Sequence, residues 1–167
     1  MKILKNLFRT TFGFLKTGIY NQIMMEKIFN LSRYKELINR EKNGEISFLD
    51  LELLSYKASV SQQISYTRKK DYFTLIDGYL SGIIPPYKFR SKFLQMKKED
   101  SNKSNLILEN FQELEVFTLA KDLENFSASI GEISTLCLEY SEVWDGSMEP
   151  MSESEFYYLV NNHYLQL

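Results

Sequence analysis

The sequence predicts an all-α protein: an antiparallel helical bundle with a four-helix core and an N-terminal helical extension. Apolar residues recur at three- and four-residue steps along most of the chain, and no stretch alternates convincingly with period two. Helix stop and start signals punctuate those stretches at Asn43-Gly44, Gly82, Pro85-Pro86 and Ser152-x-x-Glu155. The chain has 167 residues, 44% apolar and 25% charged, which is long enough to bury a core without a metal or disulfide.

Residues 1–20 form a basic amphipathic pattern. At 100° per residue Lys2, Lys5, Arg9 and Lys16 fall within about 60° of arc, with Ile3, Leu4, Leu7, Phe8, Phe12, Phe14, Leu15 and Ile19 covering the rest. Two readings stand for it: a helix lying on an anionic membrane surface, or the first helix of the bundle with a solvated basic side. Its apolar runs are too short to span a bilayer, and it lacks the continuous apolar region of a secretory signal.

Leu31–Lys42 reads as a helix stopped by Asn43-Gly44. Ser47, with Asp50 three residues on, is expected to cap a helix running to about residue 70. Residues 71–81 make the next, with Leu75, Ile76, Tyr79 and Leu80 as its stripe and Gly82 as its stop. Pro85-Pro86 then opens a helix, because the first helical N–H has no partner to lose. That helix turns Phe89, Phe93, Leu94 and Met96 inward and Lys88, Arg90, Lys92, Lys97 and Lys98 outward. Residues 99–105 are expected to form a polar loop and 106–126 the longest helix. A weaker helix follows over 130–144, then a loop over 145–150 and a last helix opened by Ser152 and Glu155. Tyr34, Leu37, Ile38, Gly44 and Ile46 repeat as Tyr72, Leu75, Ile76, Gly82 and Ile84, an echo at a constant offset of 38 residues.

Charge divides the chain. Residues 1–70 carry 13 Lys and Arg against 6 Asp and Glu, and residues 71–167 carry 7 against 16. From Ser104 onward Lys121 is the only base, facing 12 acids. On this basis residues 1–70 are assigned to a basic extension and 71–167 to an acidic bundle. A polarised chain of this kind implies a charged partner.

Other chemistry is sparsely provided for. The single histidine, His163, rules out a zinc site with several imidazoles and the Glu-x-x-His pairs of a di-iron bundle. The single cysteine, Cys137, sits between leucines and reads as an inert core thiol, which suits a reducing compartment. There is no phosphate-binding glycine loop. No catalytic residue, cofactor or metal is therefore expected. Scarce alanine beside abundant Lys, Asn, Ile, Phe and Tyr points to an AT-rich genome.

The corner Leu75-Ile76 … Tyr79-Leu80-Ser81-Gly82-x-Ile84 is followed by Phe89 and Phe93-Leu94, then by Phe111, Leu114, Phe117, Asp122, Glu124 and Phe126. Ser152-Glu153-Ser154-Glu155-Phe156 ends the series. With these features residues 72–167 resemble the bacterial self-protective, colicin-like immunity family of the colicin D immunity type. That resemblance implies a small helical bundle without catalysis, monomeric or weakly dimeric and cytoplasmic (stromal if organelle-encoded). Its partner would be the domain of a cognate tRNA-cleaving toxin, whose active site it occludes. An acidic surface could compete for such a cationic cleft as an RNA mimic. Candidate contacts, chosen by charge and expected exposure, are Glu109, Glu113, Asp122, Glu124, Glu139, Glu142, Asp145 and Glu149.

Three other readings were open at this level. The first is a membrane-peripheral or assembly protein of a low-GC bacterial or organellar system, docking through residues 1–20. The second is a nucleic-acid binder using Arg68-Lys69-Lys70 and the lysines of 88–98. Phe89 and Phe93 stand at i, i+4 and read as core rather than as base-stacking rings, so no nucleic-acid partner is expected. The third, paired-carboxylate catalysis by Glu113 and Glu115, fails because residues two apart do not face each other on a helix.

Overall fold

A computed structural model describes residues 29–115, 117–120, 123–140 and 151–167. Among these residues there are seven helices and no strand, so the chain is all-α. The helices are α1 (Leu31–Lys42), α2 (Leu51–Thr67), α3 (Lys69–Leu80), α4 (Pro86–Glu109), α5 (Phe111–Glu115), α6 (Leu123–Glu139) and α7 (Glu153–Tyr164). The basic pattern over 1–20 and the loop over 145–150 lie outside the described residues.

The chain divides into two compact units, 1–30 and 31–167. Within 31–167, α1 and α2 belong with the helices that follow them. Long-range packing is the reason: α2 lies against α4 and α6, which no local composition shift reports.

Local chemistry sets most helix ends. Gly44 takes φ 73°, donates to the Glu41 carbonyl, and is followed by a bond from the Glu45 N–H to the Arg40 carbonyl. This is the glycine-stopped end that satisfies carbonyls left over by the helix. Gly82 repeats it at φ 77°, and the Ile84 N–H reaches back to the Gly78 carbonyl at 2.8 Å. Pro86 occupies the first turn of α4, with extended Pro85 as its cap. Ser152 Oγ accepts from the Glu155 N–H at 3.2 Å and opens α7.

Five expectations need correction. Asp50, not Ser47, caps α2: its carboxylate accepts from the Glu52 and Leu53 N–H groups, while Ser47 Oγ accepts only from Leu49 N–H in the preceding turn. The helix expected to reach residue 70 ends at Thr67, and one residue, Arg68, separates α2 from α3. Residues 99–105 are helix, not loop. Phe89, Phe93, Asp100, Ser104 and Ile107 make one buried stripe at helical spacing, with two polar residues in apolar slots. The helix expected over 106–126 does not exist as a unit. It breaks at Asn110, whose side-chain oxygen accepts from the Gln112 N–H at 3.1 Å and so opens the short α5. An Asx side chain competes with the helix for backbone bonds, which is why it ends one element and begins another. Residues 117–120 are not helical, and the Ala120 N–H is held by Gln63 Oε1 at 2.8 Å. The next helix, α6, starts at Leu123 rather than at 130.

The main core comes from four helices. Tyr72, Leu75, Ile76 and Tyr79 of α3, Phe89 and Phe93 of α4, and Phe126, Ile130, Ile133, Leu136 and Cys137 of α6 meet Phe156 and Val160 of α7. Rings order it: Tyr79 stacks on Phe89 and Tyr140 on Phe156, each with centroids 4.4 Å apart. A second apolar group joins Tyr34 of α1 to Tyr56 of α2 and Phe111 of α5. Three of the five positions in the 38-residue echo play one part in both copies: Tyr34 and Tyr72, and Leu37 and Leu75, are buried, and Gly44 and Gly82 are helix stops.

Candidate functional site

Glu109 ends α4, Glu113 lies in α5, and Glu124 and Glu139 mark the first turn and the end of α6; all four are exposed. Asp122, Glu142, Asp145 and Glu149 lie outside the described residues. The four described candidates do not converge on one pocket. Glu109 and Glu113 flank the α4–α5 break, whereas Glu124 and Glu139 are 15 residues apart, about 22 Å along α6. At 100° per residue Glu124, Glu132 and Glu139 fall within about 80° of arc, so α6 carries one acidic strip. Sequence reasoning passed over Glu153 and Glu155, exposed in the first turn of α7, where negative charge suits the helix dipole. They belong to the same run of acids and were legible in it.

What distinguishes these carboxylates is the absence of counter-charge. Ion pairs among the described residues use Arg33, Arg40, Lys57 and Arg68, and their acids all lie between Glu36 and Asp100. Glu109, Glu113, Glu115, Glu124, Glu139, Glu153 and Glu155 are exposed and take part in no ion pair with a described residue. The one side-chain bond to this set is local: Glu113 Oε1 accepts from Asn110 Nδ2 at 2.8 Å.

Sequence reasoning missed a second constellation altogether, because it placed residues 99–105 in a loop. Asp100 is 1% exposed and accepts three bonds, from Ser65 Oγ at 2.7 Å, Tyr72 OH at 2.6 Å and Arg68 Nη1 at 2.9 Å. Lys97 Nζ donates to Ser65 Oγ at 3.2 Å, and Arg68 also donates to Glu99 at 3.1 Å. Burial lowers the Lys97 ammonium from its ordinary range, opposed by the Asp100 charge. Burial, and then the bond to Asp100, pushes the Tyr72 phenol up. A serine beside a depressed lysine is the pairing of a Ser-Lys nucleophile. Ser65, however, is 2% exposed and its proton is given to Asp100, so no substrate reaches it. The group is a polar lock that ties the α2–α3 corner to the middle of α4. It also consumes Arg68, while Lys69 lies over the Tyr66 and Phe73 rings at 5.2 and 5.6 Å.

Cys137 is fully buried and burial pushes its thiol up to about 12, which leaves it inert at neutral pH. Among the described residues no group of His, Cys, Asp and Glu could hold a metal ion, and no helix is long and apolar enough to cross a membrane. No protein-family model, curated protein or solved structure matches the chain.

Proposed function

We propose that this chain is a binding protein of the immunity type, acting in the cytoplasm and carrying no chemistry of its own. Its acidic surface would occupy the cationic cleft of an RNA-cleaving toxin. The observation that carries this reading is the set of seven exposed glutamates that form no ion pair with a described residue, whereas the ion-paired acids all lie between Glu36 and Asp100. Unpaired surface charge of one sign costs self-repulsion in the free protein and is repaid when a surface of opposite sign is met. The resemblance over 72–167 supplies the class of partner, since a nuclease that grips phosphates presents such a surface.

The experiment is affinity capture from the native host with the wild type and with Glu113, Glu124 and Glu139 all changed to Lys. These side chains are exposed, so the variant keeps its helical content. The wild type captures a nuclease domain at low salt and inhibits tRNA cleavage by it at equimolar ratio. Association slows steeply between about 0.1 and 1 M salt, as the screening length falls from about 10 to about 3 Å. The triple variant loses both activities. Capture of the same proteins by both forms at both salts would sink the reading.

A further inference from the structure

The opposite charge has its own address. Each arginine of the described helices is committed inside the fold: Arg33, Arg40 and Arg68 to carboxylates, and Arg90 through Nε to the Cys137 carbonyl at 2.7 Å. Of the five lysines of α4, Lys97 is held by Ser65 Oγ, but the other four are not so committed. Lys88, Lys92, Lys98 and Lys103 are exposed and form no ion pair with a described residue. At 100° per residue they lie within about 140° of arc, and they extend over about 22 Å of helix. The one acid among them, Glu99, is already bonded by Arg68 and by Gln95 Nε2 at 3.0 Å. Successive lysines are therefore about 6, 9 and 7.5 Å apart along the axis.

We propose that this face of α4 is a binding strip for the phosphodiester backbone of a single-stranded nucleic acid. An anionic bilayer would demand apolar side chains beside the lysines to enter the headgroup region. Within that arc, between Lys88 and Lys103, the other exposed residues are Ser91, Gln95, Glu99 and Asn102, and Ser91, Gln95 and Asn102 are hydrogen-bonding partners for phosphate and sugar. The two large apolar side chains exposed on α4, Tyr87 and Leu106, stand at its opposite ends. Tyr87 is half exposed with the Lys88 ammonium 5.8 Å from its ring centre, a stacking platform at the head of a cationic track. Phe89 and Phe93 are fully buried, so stacking is assigned to Tyr87 alone. This strip is independent of the acidic surface, and its test needs no toxin.

The test is fluorescence anisotropy of a labelled oligouridine of about 20 nucleotides with the full chain. Four phosphate contacts on a single strand give a slope of log affinity on log salt of about −2.8, so binding weakens about fifty-fold from 50 to 200 mM salt. Changing Lys88, Lys92, Lys98 and Lys103 to Gln abolishes binding, with circular dichroism reporting an intact fold. Tyr87→Ala weakens it about five-fold or more with the salt slope unchanged. A control changing Lys35 and Lys42 to Gln leaves affinity within about two-fold. Three outcomes overturn the proposal: no binding by the wild type at 50 mM salt, equal binding by the quadruple variant, or wild-type binding only to phosphatidylglycerol vesicles.

Discussion

Removing the Asp100 carboxylate would leave the Ser65 hydroxyl, the Tyr72 phenol and one Arg68 N–H aimed into a space closed to water. Arg68 keeps Glu99 and Asp71, but the Ser65 and Tyr72 donors are orphaned where water does not reach, so Asp100→Ala is expected to destabilise by about 2–4 kcal/mol in chemical denaturation. Tyr72→Phe in that background should cost far less than in the wild type, since its partner is already gone. Additive losses would show that Asp100 does not gather the cluster. Tyr79 makes the opposite case. Its ring is buried and stacked, yet its hydroxyl has no hydrogen-bond partner among the described residues. Tyr79→Phe should therefore raise stability by about 1 kcal/mol, because the buried hydroxyl was desolvated without return. A loss of stability would mean that the hydroxyl is bonded in solution.

Glycines separate what a helix needs at its end from what it tolerates inside. Gly82 holds φ 77° with open space where a Cβ would stand, so the obstacle to substitution is backbone strain, not crowding. Gly82→Val is expected to cost about 1–2 kcal/mol or more and to loosen the entry of α4. Gly131, inside α6, also has nothing within 4 Å of a built Cβ but keeps ordinary helical backbone. Gly131→Ala should stabilise by about 0.5–1 kcal/mol, the usual gain of alanine over glycine within a helix. Thermal melting of both variants checks the pair, and equal effects would contradict the difference in their backbones.

Over the whole molecule, burial sets the response to alkali. It pushes the Cys137 thiol from 9.0 up to about 12 and the Tyr34 and Tyr164 phenols from 10.0 up to about 12, with Tyr72 and Tyr79 higher still. Each folded-state value lies above its unfolded one. The unfolded chain therefore gives up these protons first, and each proton the fold retains costs stability as pH rises. Stability is full below about pH 9 and is lost through the window from about 9 to 12. Lys97, depressed by burial, works the other way, regaining stability as pH climbs toward its ordinary value of 10.5, but it is one group against five. Helical circular dichroism and tyrosinate absorbance should change together in an alkaline titration. Tyrosine ionisation well below loss of helix would refute the assignment of these rings to the core.

Helix type, the helix ends marked by glycine, proline or serine, and the four-helix core were legible in the chain because they depend on near neighbours. Gly44 and Gly82 stop helices by backbone conformation, Pro86 starts one by lacking a donor, Ser152 caps one by reaching three residues ahead, and Phe89 and Phe93 face inward by spacing. The acids after Ser104 were likewise visible as composition. Pairing was not, because it joins residues far apart in sequence. Asp100 and Ser104 look like loop residues until α2 and α3 bring Ser65, Arg68 and Tyr72 to one of them and make the helix through 99–105 affordable. Likewise, only the fold separates arginines spent on internal bonds from the lysines and glutamates left facing water. Sequence determined which charges the protein carries; tertiary contacts decided which of them remain free to meet a partner.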